Sequence, residues 1–364
     1  MKKTGLLVLA LLCTIILSAQ TALKKAINSY EREQYYACIK SLEPLASTKR
    51  YSDEVKAEVN FYLGLSYLRL SNPAQAISYF NKSISLNNNI PEAFLYLGES
   101  MQMMEHYEEA EKFYSHFLEL KPKDSIGLLK VESLNYCKKM LRNPSAYKVR
   151  IMPSFNTVEM DYSPFFDGKD FRSVYFTSSR YYENKAKTNK ESGEPYSNIY
   201  VSTISKDGFW SFPKKIEGQV NTDYDEGTAS INRNSKNLYF TRCTYNKNKD
   251  RACRIYMARK SSNFWTKAEL IEIRGLPDNI SVGHPCISPD ELSLYFVADS
   301  MLGGYGGKDI YKITRAKRSD AWGGMQNLGP DVNTRGDESY PYIRYDGTLY
   351  FASNGHLGMG GYDI

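Results

Sequence analysis

Four glycines crowd into residues 303–307, GGYGG, directly ahead of Lys308 and Asp309, and glycines beside a lysine are the raw material of a phosphate cradle. A cradle needs Gly-x-x-x-x-Gly-Lys-Ser/Thr, or a Gly-x-Gly-x-x-Gly turn that opens a helix. Neither spacing is present. Asp309 would repel a phosphate, and the following IYKIT alternates β-branched and aromatic residues as a strand does. Strand, glycine turn and strand make a hairpin.

The other chemistry-bearing residues are sparse. His106 and His116 lie ten apart without the His-Glu-x-x-His spacing of a zinc protease. His284 precedes Pro285 in a turn and His356 falls in a loop, where turn hydrogen bonding is the reading. No Gly-x-Ser-x-Gly elbow and no Ser-x-x-Lys in a strand-to-helix setting supports nucleophilic catalysis. The turns NTDYDEG (221–227) and NTRGDES (333–339) bring together Asp223, Asp225, Asp337 and Glu338. A calcium site needs six or more converging oxygens and EF-hand spacing is missing, so these carboxylates read as turn caps. The expectation is a chain with no catalytic residue, no metal and no cofactor: not an enzyme.

Lys2 and Lys3, an apolar run over residues 6–17 and then SAQ have the layout of a secretory signal peptide cleaved after Ala19. That predicts export, with no transmembrane segment once the signal is removed. Cys13 lies inside the apolar run, so no lipid-attachment cysteine follows it. Five cysteines remain, Cys38, Cys137, Cys243, Cys253 and Cys286, an odd number in a compartment where disulfides persist. Cys243 and Cys253 flank TYNKNKDRA between two predicted strands and are a candidate disulfide; the alternative is two small apolar residues at strand ends. The net charge of +6 is spread without a block of five like charges, so nucleic acid is not implied.

Two repeat arrays with different periods organise the 364 residues. In the first, Leu63-Gly64 and Leu97-Gly98 recur 34 apart, followed at fixed distance by Ala76 and Phe80, or Ala110 and Tyr114. The small residues let paired helices approach, and Phe80, Tyr114 and Tyr67 are expected to fill the space between repeats. A weaker copy spans 21–48, and residues 124–141, with Asp124 as N-cap, read as a closing helix that ends at Asn143 and Pro144. The spacing resembles the tetratricopeptide family. That resemblance implies a helical solenoid whose concave groove is lined by Phe61, Leu65, Arg69, Leu95, Glu99 and Gln102, suited to an extended peptide or partner helix. The alternative is a spacer whose groove packs on its own chain.

In the second array, Val-Tyr-Phe at 174 and Leu-Tyr-Phe at 238, 294 and 349 recur. Asn-Ile-Tyr at 198, Arg-Ile-Tyr at 254, Asp-Ile-Tyr at 309 and Asp-Ile at 363 follow, with Trp210, Trp265 and Trp322 behind the first three. Four short strands per unit of about 55 residues read as propeller blades. HPCISPDELSLYF (284–296), YPYIRYDGTLYFASN (340–354) and the Gly-Gly-x-Asp-Ile turns resemble the TolB-type, WD-like β-propeller repeat. The expected fold class is therefore α + β multidomain: an N-terminal tetratricopeptide solenoid followed by an incomplete all-β propeller. Residues 1–19 are the signal peptide, 20–143 the helical repeats and 144–364 three blades with part of a fourth. An open array would expose strand edges, hence the expectation that the reading frame continues.

This order of parts resembles the OmpA-family, PorE-like envelope proteins of Bacteroidetes. The resemblance implies a non-catalytic, outer-membrane-associated periplasmic scaffold, with envelope or type IX secretion and gliding proteins as partners. Peptidoglycan would be bound only through an OmpA-like domain outside this chain. The alternatives are a propeller-gated hydrolase with its catalytic domain downstream, and a glycan- or peptide-binding sensor propeller with a tyrosine-lined face.

Overall fold

The computed structural model describes residues 21–48, 51–87, 89–167, 171–181, 188–245 and 251–364. The proposed signal peptide lies outside these residues. Two compact units are present: residues up to Ala146 with Asn189–Gly193 and Leu357–Gly361 form one, and Tyr147–Thr188, Glu194–His356 and Tyr362–Ile364 form the other.

The first unit is helical: α1 (residues 21–31), α2 (Tyr35–Ala46), α3 (Asp53–Arg69), α4 (Pro73–Leu86), α5 (Pro91–Met103), α6 (Tyr107–Leu120) and α7 (Ser125–Arg142). Local chemistry sets the boundaries. Ser52 and Asn72 accept the backbone N–H of Val55 and Gln75, and Pro73 and Pro91 start their helices, where a missing N–H costs nothing. Asp124 caps α7 by accepting from Ile126 and Gly127.

Consecutive helices pack as pairs, and the two glycines of the 34-residue period show how. A Cβ on Gly64 would stand 2.6 Å from the Phe80 ring, and one on Gly98 would stand 2.6 Å from the Tyr114 ring. Both rings are fully buried. Each therefore fills the gap inside its own helix pair, α3 with α4 or α5 with α6, and not only the space between repeats expected from the sequence. Tyr67 does bridge repeats: its ring stacks on Tyr79 and its hydroxyl donates to Glu43 of α2.

The second unit is built from successive antiparallel sheets. β1 (Asp161–Phe166), β2 (Ser173–Ser178), β3 (Asn198–Thr203) and β4 (Lys214–Lys215) form the first. β5 (Asp225–Ile231), β6 (Asn237–Tyr245), β7 (Arg251–Ser261), β8 (Phe264–Trp265) and β9 (Glu269–Leu270) form the second, with β8 and β9 both on β7. The third holds β10 (Val282–Ile287), β11 (Ser293–Asp299), β12 (Lys308–Thr314) and β13 (Gln326–Asn327), and the fourth pairs β14 (Glu338–Ile343) with β15 (Leu349–Ser353).

Two acidic turns tie the second sheet to the first and the fourth sheet to the third. Asn221 accepts from Ile199 N (2.9 Å) and donates to Ile199 O (3.0 Å), and Asn333 does the same to Ile310 at 2.7 and 3.0 Å. Asp225 and Asp337 accept from the backbone N–H of Ser197 and Lys308. Glu226 and Glu338 turn back to hold the N–H of Thr222 and Thr334. These ties satisfy strand-edge N–H groups that a sheet boundary would otherwise leave open.

Candidate functional site

Of the six residues proposed to line a helical groove, the structure buries three. Leu65 and Leu95 are buried in helix packing, while Gln102 is buried with its amide oxygen accepting the Tyr114 hydroxyl at 2.8 Å and its amide nitrogen donating to Gly358 O at 3.4 Å. As packing groups they are not surface offered to a partner. Phe61 is half-buried, its ring against Tyr62, Phe80 and Tyr96. Arg69 stays exposed, with its Nε 3.4 Å from the Tyr30 hydroxyl. Glu99 is partly buried and pairs with Lys130 of α7 at 3.4 Å.

The structure adds neighbours that periodicity did not single out: Tyr30, Tyr35, Tyr62, Tyr96 and Lys130. Tyr30 contacts the rings of Tyr35 and Tyr62 at 5.5 and 5.6 Å. Burial pushes the Tyr96 phenol up to about 12, with Tyr30 and Glu99 adding to the shift and Arg69 opposing it. Rigid tyrosines beside an arginine and a carboxylate are the composition that carries binding energy at protein interfaces. The 34-residue period does not single out Tyr30 and Lys130 because they sit outside the two well-matched repeats.

In the β unit, the glycine loop of 303–307 is closed by its own carboxylate. Asp309 Oδ2 accepts from Tyr305 N (2.7 Å) and Asn327 Nδ2 (2.9 Å), while Oδ1 accepts from Gly306 N (3.1 Å). The N–H groups a phosphate would use are thus taken by Asp309. Among the described residues no group of three or more His, Cys, Asp or Glu is placed to hold a metal ion.

Cys243 and Cys253 face each other in the β6–β7 register, with their sulfurs 2.04 Å apart. Cys38, Cys137 and Cys286 are buried and outside any disulfide. Reduction of the denatured protein is expected to raise its thiol titre by two; an unchanged titre means that the pair is not linked.

Residues 57–90, which take in most of α3 and all of α4, match the tetratricopeptide repeat family model. The chain is 31% identical over 88 residues to the type IV pilus assembly protein PilF of Pseudomonas aeruginosa, spanning 24% of this chain and 34% of that protein. It therefore covers about a third of this curated relative's length. Among solved structures, the first tetratricopeptide domain of human RPAP3 is 20% identical, with a TM-score of 0.32 over 35% of this chain and 97% of that one. A structure of Pseudomonas aeruginosa PilF is 23% identical, with a TM-score of 0.29 over 35% and 62% of the two chains. The N-terminal region is thus a tetratricopeptide-type helical array, followed by a β-rich region. Among the described residues no helix is long and apolar enough to cross a membrane.

Proposed function

We propose that this chain is a non-catalytic scaffold of the cell envelope that captures a protein partner on its helical unit. The observation that carries the reading is the Arg69 and Glu99 pair of charges set among Tyr30, Phe61, Tyr62 and Tyr96 on the inner helices of a tetratricopeptide array. Arg69 and Phe61 supply accessible contact, Glu99 fixes polarity, and the buried Leu65, Leu95 and Gln102 hold the backbone beneath them.

In the same reading residues 1–19 direct export, 20–143 form the partner-binding module, and 144–364 form a TolB-type β-propeller cross-linked by Cys243 and Cys253. The support for the propeller is its four consecutive antiparallel sheets, of which the second and the fourth are tied backward by the same turn chemistry. The protein resides in the periplasm, associated with the outer membrane, and an OmpA-like domain outside this chain holds it to peptidoglycan. The partial likeness to a pilus assembly protein supports service in an envelope machine, for which the type IX secretion and gliding apparatus is our choice.

The test is the double variant Arg69→Ala with Glu99→Ala, used as bait against envelope proteins of its own cell. Loss of two interface charges at a binding centre lowers recovery of the specific partner by about tenfold or more, with helical content and melting unchanged. Equal recovery by the variant and the parent sinks the reading.

A further inference from the structure

The first strand of every sheet carries one irregularity. Register shifts occur between Tyr162 and Phe165, Gly227 and Ser230, Gly283 and Cys286, and Ser339 and Tyr342. At each a non-glycine residue adopts positive φ: Ser163 at 50°, Thr228 at 46°, His284 at 51° and Tyr340 at 53°. The bulge leaves an N–H turned away from its own ladder, and that donor needs an acceptor elsewhere.

Two of the bulges solve this in the same way. Thr228 N–H donates to Thr177 Oγ1 of the preceding sheet, and His284 N–H donates to Thr241 Oγ1, both at 2.9 Å. Glycine precedes each donor because the threonine lies so close: a Cβ at Gly227 or Gly283 would come within 2.5 or 2.9 Å of the threonine methyl. Thr177 and Thr241 are register partners of Tyr162 and Gly227 in their own sheets; the corresponding partner of Gly283 is Val297. Valine offers no acceptor. At the junction of the third and fourth sheets the bulge N–H of Tyr340 goes instead to His284 Nδ1 at 3.3 Å, and the two rings stack with centroids 4.3 Å apart.

We propose that His284 is an acid-sensitive catch between the third and fourth sheets, standing in for the threonine hydroxyl that this junction lacks. Nδ1 accepts a hydrogen bond only in the neutral ring; a protonated ring turns a donor toward the Tyr340 donor. The groups facing the imidazole are Lys308 of β12, Arg251 of β7 and Tyr340 of β14, with Tyr162 of β1 against Tyr340. Burial, then Lys308 and Arg251, lower the imidazole pKa from 6.5 to about 3.

The direction of the pH effect follows. The folded ring binds its proton later than the unfolded one, so the catch costs nothing above about pH 6.5. Between about 6.5 and 3 the unfolded state gains protons that the folded state refuses, and the folding constant falls by roughly tenfold per pH unit. The penalty levels off once the folded ring protonates as well. Hydroxyl acceptors such as Thr177 and Thr241 carry no such dependence.

Two measurements on the full chain test this. Imidazole NMR titration, with His284 assigned by its absence from His284→Gln, is expected to show His284 neutral down to pH 5. Thermal melting from pH 7.5 to 5 is expected to fall more steeply for the parent than for His284→Gln, whose amide oxygen accepts without titrating. Adding Val297→Thr to His284→Ala should restore the melting temperature lost in the single variant. A His284 that titrates near 6.5, or parallel melting profiles for parent and His284→Gln, overturns the catch. The NMR titration decides the matter even where a variant folds poorly.

Discussion

Replacing Arg242 with alanine is expected to destabilise the β unit by about 3–5 kcal/mol, the usual cost of stranding a buried charge. Glu226 is fully buried, and Arg242 Nε donates to its Oε1 at 2.7 Å. Arg242 also donates to Val220 O at 2.8 Å and lies over the rings of Phe240 and Tyr256. Without the guanidinium, Glu226 keeps Thr222 as a hydrogen-bonding neighbour, and the ion pair described for its charge is lost.

The pH dependence of this variant identifies the cause. Burial already raises the Glu226 pKa above its ordinary 4.5, against the opposing pull of Thr222 and Arg242. A carboxyl raised on folding stabilises the fold below its unfolded pKa, and that contribution is lost as pH rises through the folded value. Removing Arg242 lifts the folded value further. The deficit of Arg242→Ala should therefore shrink as the pH is lowered toward 4.5, and adding Glu226→Gln should recover much of it at neutral pH. Denaturant melts at pH 7.5 and 5 measure both effects. A deficit that is equal at the two pH values, and untouched by Glu226→Gln, would assign the loss to ring packing alone.

Truncating Phe80 to alanine is expected to cost the helical unit about 3–5 kcal/mol through the cavity it opens between α3 and α4. The ring is fully buried, stacked on Tyr96 and close to Phe61, so no exposed surface is gained in exchange. The coupling with Gly64 is the sharper expectation. Gly64→Ala alone drives a methyl into the ring, a clash of the overpacking kind worth about 1–3 kcal/mol. In the Phe80→Ala background that space is empty, and alanine gains about 1 kcal/mol of helix propensity over glycine. The sign of the Gly64→Ala effect should reverse between the two backgrounds, as followed by helical circular dichroism. Additive effects would mean that the ring and the glycine do not share the space.

The two arrays are legible in the sequence because repetition exposes what packing demands. A glycine every 34 residues facing a distant aromatic, and Leu-Tyr-Phe every 55 or 56, survive only where every copy meets the same constraint. Arg180 and Arg242 show the reverse case. Both cover a Phe and Tyr ring pair and both hold a carboxylate, Asp161 or Glu226. Yet one lies four residues after its phenylalanine and the other two, so spacing hides the equivalence. The burial of Leu65, Leu95 and Gln102 is not legible in the sequence, because helical period identifies a face but not the depth at which the rest of the chain covers it.

The sequence by itself determined the order of a helical and a β-rich region, their two periods, the Asp124 cap and the absence of a phosphate-binding spacing, since all of these are read from residue types and their spacing along one chain. Tertiary structure alone decided which sheet Asn221 and Asn333 tie, that Asp309 occupies its own glycine loop, and that His284 takes the place of a missing threonine. Each of these depends on where a donor left open by one strand finds its acceptor in another, and that distance is fixed by the packing of whole sheets.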